Sequence, residues 1–271
     1  MSDIVHGYAG HLLRVDLSDG RLERYPIAPE FAAKWVGGTG LGAKILFDEV
    51  PAGVEWDDPQ SRVIVASGPL GGTRVAGTGT YSVVFKGPMT NLAGASQASG
   101  FLGAFLKLSG VDAVVIQGAA PTWCYLYIHD GGAELRAADH LLGRDTWEVE
   151  DLIAEELGVR SSQISVCGIG VAGENRVRFA ALAGEKGHVA AHNGIGAVLG
   201  AKKLKAIAVA RGSQRVPVYD AQGLVEAAAR LLDHATTKFA GGLIHEVGTG
   251  GLVPGVYASG QLPSKNYTTN I

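Results

Sequence analysis

The chain has 271 residues, of which 46% are hydrophobic and 18% charged, and its net charge is -3. That length allows one large domain or two small ones with an ample core, and the charge leaves no electrostatic case for nucleic acid or an anionic membrane. The N-terminus lacks an apolar signal region and no apolar run approaches the ~20 residues that span a bilayer, so a cytoplasmic protein is expected.

Glycine is abundant at 40 residues, without a Gly-X-Y period, which indicates many tight turns and close backbone approaches. The cysteines are Cys124 and Cys167, both in apolar runs and expected to be buried thiols. With no Cys-x-x-Cys, neither a zinc site nor an iron–sulfur cluster can be built from cysteines within one chain.

In chain order, residues 12–17 read as a strand that turns at Asp19-Gly20 into residues 22–25. Residues 29–35 and 41–47 read as short helices, the second preceded by a loop of Gly37, Gly38 and Gly40. Residues 63–66 and 81–85 are predicted strands, and the polar segment 91–100 precedes an apolar helix. Cys124, Leu126 and Ile128 share one face of a further strand, with Tyr125, Tyr127 and His129 on the other. Residues 145–157 form an amphipathic helix with an acidic first turn. Strands follow at 164–166, 177–181 and 204–209. Asp220 reads as the N-cap of a helix reaching about Lys238, with Leu224, Ala227, Ala228 and Leu231 on one face. The Gly-, Pro-, Ser- and Thr-rich segment 241–271 reads as extended and in need of a partner surface. Strands with interspersed short helices argue for an α+β fold.

Two halves of the chain carry similar motifs. Gly68-Pro69-Leu70-Gly71-Gly72-Thr73 precedes Tyr81-Ser82-Val83-Val84, and Gly170-Val171-Ala172-Gly173-Glu174-Asn175 precedes Val177-Arg178-Phe179. Ala113 lies ten residues after Gly103, and Ala206 ten after Gly196. Such a repeat predicts one pseudo-symmetric site between Gly-rich loops. The loop holding Gly77 and Gly79 can present backbone N–H groups to an anion. Asn91, Ser96, Gln97 and Ser99 offer neutral hydrogen-bonding groups. The segment Glu185-Lys186-Gly187-His188, continued by His192-Asn193, is the richest in titratable groups. The i, i+4 spacing of His188 and His192 suits a metal only if helical and with further ligands, so no metal is expected; acid–base use of a histidine fits better. His11, His129, His140, His234 and His245 have no companions that suggest chemistry. Tyr81 opens its strand directly after the loop and is placed to border a ligand.

These motifs, with Gly37-Gly38-Thr39-Gly40-Leu41-Gly42, Gly143-Arg144-Asp145-Thr146-Trp147-Glu148 and Leu262-Pro263-Ser264-Lys265-Asn266-Tyr267, occur in a familiar order. The chain resembles the N-terminal domain of the tungsten-dependent aldehyde:ferredoxin oxidoreductases over nearly its whole length. The resemblance implies a saddle of two β-sheets with a pseudo-two-fold repeat and short helices. It also implies a β-rich domain over residues 1–215, then a helix and an extended tail over 216–271 that pack on a partner subunit. In the family a cysteine-rich [4Fe-4S] segment and two pterin-closing domains follow. The chain stops at Ile271, so the expectation is a stand-alone domain lacking them.

Several positions depart from the family pattern, whose residues there face the phosphates of a bis-pyranopterin. Thr39 and Thr80 stand where the family has arginine, Gln97 where it has asparagine. Residues 189–195, Val189-Ala190-Ala191-His192-Asn193-Gly194-Ile195, lack both arginines of the family segment. An Arg–phosphate hydrogen bond contributes about 1.5–3 kcal/mol, so losing two or three weakens binding by roughly three to six decades. The leading expectation is a repurposed, pterin-independent enzyme. It performs acid–base chemistry (isomerisation, elimination or cyclisation) on a small polar metabolite. His188, His192, Glu185 and Tyr81 are its catalytic candidates. Thr39, Gly77, Gly79, Thr80, Asn91, Ser96, Gln97, Ser99 and Asn193 are its ligand-binding candidates. No cofactor is expected from this chain alone. The alternatives are a subunit of a split tungsten-bispterin oxidoreductase and a non-catalytic binding or assembly protein. A homo-oligomer, or a partner subunit, is expected to cover the concave face.

Overall fold

Alternation of apolar residues becomes β1 (His11–Asp16), and Asp19-Gly20 turns it into its antiparallel neighbour β2 (Arg21–Pro26). The computed structural model describes residues 5–130 and 132–270; residues 1–4 and Ile271, which the expected domain bounds include, lie outside them. Two helices follow, α1 (Pro29–Trp35) and α2 (Gly38–Glu49). Next come β3 (Val63–Ser67), β4 (Tyr81–Lys86), β5 (Ala93–Ala98), α3 (Leu102–Leu108) and β6 (Ala113–Gln117). Together these strands form a six-stranded mixed sheet in the order β2-β1-β6-β3-β4-β5.

The chain then repeats the plan. It builds β7 (Cys124–His129), β8 (Gly132–Ala137), α4 (Thr146–Glu156), β9 (Ile164–Gly168), a short α5 (Val171–Glu174), β10 (Leu182–Gly184), β11 (His188–Ala190), α6 (Ile195–Ala201) and β12 (Leu204–Ala210). The second sheet runs β11-β10-β9-β12-β7-β8. Adding six to each strand number of the first sheet reproduces this order, reversed only in the direction of reading. The pairings agree as well. β1 and β6 are parallel, as are β7 and β12, and every other neighbour is antiparallel. The expected α+β, two-sheet fold with an internal repeat is therefore what the structure shows.

A central core joins the inner faces of both sheets. Leu13, Val65, Val83 and Phe85 from one meet Leu126, Cys167, Leu182 and Ile207 from the other, with Leu106 of α3 and Val198 of α6 between them. The outer face of the first sheet is covered by α2 through Leu41, Ile45, Ile64 and Val84. That of the second is covered by α4 through Val149, Ile153, Tyr125 and Ala208. Asp145 starts α4 with a capping box, accepting from Trp147 N and Glu148 N at 2.9 Å while Glu148 accepts from Asp145 N at 3.0 Å. Each half buries one lysine ion pair, Lys107 with Asp112 and Lys205 with Glu174.

The described chain divides into two compact units. The first runs to Thr73 and resumes over Gly77–Tyr219; the second comprises Arg74–Ala76 and the chain from Asp220 onward. In the second unit Asp220 caps α7 (Ala221–Thr237), accepting from Gly223 N at 2.9 Å. No residue of α7 is buried. The segment after it is not extended as expected. It forms α8 (Phe239–Val247), α9 (Val253–Ala258) and a two-residue hairpin, β13 (Pro263–Ser264) with β14 (Thr269–Asn270). Pro254 sits in the first turn of α9, where a missing N–H costs nothing, so composition misread a helix start as a break. No helix among the described residues is long and apolar enough to cross a membrane.

Two further expectations change. Residues 93–98, read only as a polar segment, are a strand that pairs residue for residue with β4, and the apolar helix expected after the segment follows as α3. Residues 177–181 are turn rather than strand. The structural counterpart of Tyr81 is Leu182, the first residue of β10. Gly196 fixes this register, since a Cβ there would lie 2.6 Å from the Ala181 carbonyl oxygen, and a Cβ on Gly103 would lie 3.1 Å from that of Thr80.

Candidate functional site

The first polar site lies at the start of α2. Tyr8 donates its one hydroxyl proton to the Val36 carbonyl at 2.5 Å, with the Ala32 carbonyl 3.1 Å away, fixing the turn between α1 and α2. Val36 there has φ 61, an outlier for a β-branched residue, of the kind that gathers at functional sites. No side chain caps α2, and among the described residues the Gly38 and Thr39 backbone N–H groups have no hydrogen-bond acceptor. They open on a cavity of 390 Å³ lined by Gly37, Gly38, Thr39, Thr80, Ser82 and Gln97, among others. Thr39 Oγ1 donates to Ser82 Oγ at 3.1 Å, and Gln97 Nε2 donates to the same oxygen at 3.3 Å. Ser82 and Gln97 are direct cross-strand partners on β4 and β5. None of the described lining residues is a cation.

Gly79 lies in the loop that leads to Thr80, and a Cβ there would lie 1.8 Å from the Gly100 carbonyl oxygen. Its role is close backbone approach. Gly77 stands farther back in the loop with φ 77, and Thr80 Oγ1 reaches its carbonyl at 3.5 Å.

The second polar site lies where edge strands β5 and β11 meet, between segments about a hundred residues apart. Ser99 Oγ and His188 Nδ1 are 2.9 Å apart. The backbone N–H of His192 donates to Ser96 Oγ at 3.0 Å, and Asn193 Nδ2 donates to the Ala95 carbonyl at 3.1 Å. Phe101 N donates to both oxygens of Glu185, at 2.7 and 2.9 Å, and Ser165 Oγ donates to one of them. Glu185 thereby caps the N-terminus of α3, where the helix's own N-cap residue Phe101 supplies no side-chain bond. Glu185 and Lys186 have φ 49 and 53, the left-handed pair of a tight hairpin turn between β10 and β11. Beside this junction is a larger cavity of 710 Å³, lined in part by His188, Glu185, Glu150, Phe101, Phe105 and Arg211. Burial raises the Glu150 carboxyl above the usual range, although it accepts from Lys186 N at 3.0 Å.

Tyr81 is only 2% exposed and faces the central core. Burial first, then its neighbour Cys167, pushes its hydroxyl far above the ordinary tyrosine range. Burial likewise pushes the Cys167 thiol up to about 12 and the Cys124 thiol up to about 11. Both thiols are free and buried.

The expected residues thus fall into two groups. Thr39, Thr80 and Gln97 converge on the first cavity. Glu185, His188, Ser99 and Tyr81 gather around a narrow crevice that Ser165 and Cys167 complete. His192 and Asn193 are exposed in a turn, Asn193 with φ 64, and His192 does not line the larger cavity. Ser96 is buried as the acceptor for that turn. Asn91 lies in the turn at the far end of the β4–β5 hairpin, about 17 Å from the Tyr81 end by strand rise. His188 lies on a strand and His192 in a turn, so the two do not share a helical face. Among the described residues no cluster of three or more His, Cys, Asp or Glu could hold a metal. Ser82 was missed in the sequence, although its place in the alternation of β4, on the face opposite Tyr81, could have marked it. Arg211, just past the end of β12, gave no local signal.

Residues 12–211 match the family described as the aldehyde ferredoxin oxidoreductase N-terminal domain. The tungsten-containing aldehyde ferredoxin oxidoreductase of Pyrococcus abyssi is 39% identical over 266 residues, covering 98% of this chain and 43% of that protein. The aliphatic sulfonate oxidoreductase WOR-like subunit of Pyrococcus furiosus is 35% identical over 238 residues, 80% of this chain and 36% of that one. Among solved structures, the active-site complex BamBC of benzoyl coenzyme A reductase with 1,5-dienoyl-CoA matches with a TM-score of 0.81 at 36% identity. It covers 85% of this chain and 35% of that chain. The chain spans less than half the length of these relatives. Shared sequence and fold place it in the aldehyde ferredoxin oxidoreductase family, whose N-terminal domain it carries at residues 12–211.

Proposed function

We propose that this chain is the ligand-bearing base of an oxidoreductase of this family, and that the cavity at the start of α2 seats a phosphate-bearing group. One observation carries the reading. The uncapped N-terminus of a twelve-residue helix opens on a 390 Å³ cavity beside the hydrogen-bonded Thr39–Ser82–Gln97 chain. The Gly38 and Thr39 amides and the helix dipole favour an anion there. The residues fit the phosphate end of a pterin cofactor through backbone N–H groups and the Thr39 hydroxyl. They supply no cation to offset its charge. A tungsten-pterin centre, when bound, supplies two-electron redox chemistry.

This chain's own residues anchor and orient. The α2 amides and Thr39 hold the anionic end, and Gln97 holds a polar edge of the ligand. Tyr8 keeps the turn before α2 in shape. Affinity for the whole cofactor is weak in this chain alone, and a covering polypeptide completes the site. Exposed apolar side chains on the first unit, among them Val36 at 53%, Met89 at 64% and Phe179 at 78%, are consistent with such a cover. The cover is a partner subunit or a second copy of the chain, and the buried free thiols suit a cytoplasmic setting. The test is tungsten and pterin content of the purified chain, alone and with candidate covering subunits, beside its mass in solution. Substoichiometric cofactor alone and retention with a cover are expected. Stoichiometric cofactor in the isolated monomer overturns the reading.

A second reading is favoured by a different observation, the 2.9 Å Ser99–His188 contact beside a 710 Å³ cavity. It gives the chain pterin-independent acid–base chemistry on a small polar metabolite, with His188 moving the proton. Glu185 and Tyr81 support this less well, the first engaged at α3 and the second buried. Replacing His188 by glutamine lowers such a turnover by ~10²–10⁴, and unchanged turnover removes the reading.

A further inference from the structure

The 710 Å³ cavity shares no lining residue with the one at α2. Its volume falls within the range of small-molecule sites, about 300–1,000 Å³. One wall is apolar. Phe101 and Phe105 stack with ring centroids 5.7 Å apart and planes 29° apart, and Ile164 and Val166 continue the wall from β9. Phe101 is 63% exposed, a large aromatic face open to an occupant.

The ionic groups of the rim are unequally occupied. Asp151 is held by Lys186 Nζ at 2.7 Å. Glu185 is engaged by Phe101 N and Ser165, and Glu150 by Lys186 N. The three carboxylates are therefore satisfied from within the protein. Among the described cations of the lining, Lys186 is paired and Arg211 makes no ion pair. Arg211 is held in place by its backbone, which donates to the Gln163 carbonyl at 2.7 Å just past the end of β12. A guanidinium with a free fork of donors is matched best by a carboxylate or similar planar anion.

We propose that this cavity binds a flat, apolar monoanion, its ring system against Phe101 and Phe105 and its anionic end on Arg211. The ring face gains aromatic contact and burial. The anionic end selects against neutral analogues. The proposal does not depend on the reading of the α2 cavity.

The test is calorimetric titration of the whole chain with 2-naphthoate, with 2-naphthamide and 2-naphthylmethylammonium as neutral and cationic counterparts. One saturable site for naphthoate is expected. Arg211→Gln should weaken naphthoate about tenfold or more and leave the amide nearly unchanged. Phe101→Ala should weaken both. Arg211 and Phe101 are both exposed, so neither change threatens folding. Naphthoate binding should persist in saturating pyrophosphate, which probes the α2 cavity. No saturable binding, equal affinity in the Arg211 variant, tighter binding of the cation, or displacement by pyrophosphate would each overturn the proposal.

Discussion

The two halves of the first unit share strand order, pairing directions and helix placement, yet their equivalent edge hairpins differ. In the first half β4 and β5 pair over six residues and place Ser82 and Gln97 beside the α2 N-terminus. In the second half β10 and β11 pair over three residues and close in the strained Glu185–Lys186 turn, which caps α3 of the other half. The buried ion pairs also differ. Lys107 on α3 pairs with Asp112 just before β6, five residues away, whereas Lys205 reaches Glu174 thirty-one residues away. A duplicated scaffold is fixed by its apolar pattern and its glycine contacts. The edges diverge into a cavity on one side and a clamp on the other.

Breaking the buried pairs should give the largest effect. Asp112→Ala strands the fully buried Lys107 ammonium and also removes the acceptor for Ala9 N and Gly10 N. Urea denaturation should register a loss of about 3–5 kcal/mol. Glu174→Ala should cost less, because the Glu174 side chain keeps 13% exposure where that of Asp112 keeps 2%. Equal losses would mean that the two halves are not distinguished by this burial.

Lys202 sharpens the comparison through pH. Its ammonium is buried on the carbonyls of Ser61 at 2.8 Å and Gly118 at 3.0 Å, with no carboxylate in contact among the described residues. Burial first, then Arg62, pushes its pKa down to about 8, while Asp58 and Asp16 act the other way. Between about 8 and the ordinary lysine value of 10.5 the unfolded chain holds the proton that the folded chain has released. Stability attributable to this group therefore rises with pH through that window, by roughly 3 kcal/mol in all. Lys202→Met should remove that component of the denaturation profile. A variant profile parallel to wild type would contradict it.

Glycine contacts come next. Gly79→Ala places a Cβ 1.8 Å from the Gly100 oxygen, and Gly196→Ala places one 2.6 Å from that of Ala181. Each should cost more than about 2 kcal/mol. Gly77→Ala meets no atom but must hold φ 77, for about 1–2 kcal/mol. The smallest expected effect is at the clamp, where Glu185→Ala frees the α3 N-terminus for about 1 kcal/mol. Thermal denaturation of the four variants tests the ranking.

The sequence carried the repeat well, because Gly103, Gly196 and the strands after their helices stand at equal spacing and perform equal packing. It carried the α4 cap in Asp145 and Glu148. Strand β5 was hidden because Ala93-Gly94-Ala95-Ser96-Gln97-Ala98 has little β-propensity of its own and is made a strand by pairing with β4. Residues 177–181 look like a strand but are bent by the close approach of Gly196. At the site, Thr39, Thr80 and Gln97 were legible through the family's motifs. Their separation from Glu185, His188 and Tyr81 was not, because it depends on which face of β4 each neighbour meets.

The most direct measurement is amide-detected titration of the whole chain with pyrophosphate, for wild type and for Thr39→Arg. The account predicts weak, saturable shifts of the Gly38 and Thr39 amides in wild type, and affinity raised about tenfold or more by the restored arginine. Shifts absent from the α2 N-terminus, or affinity unchanged by the arginine, would contradict it.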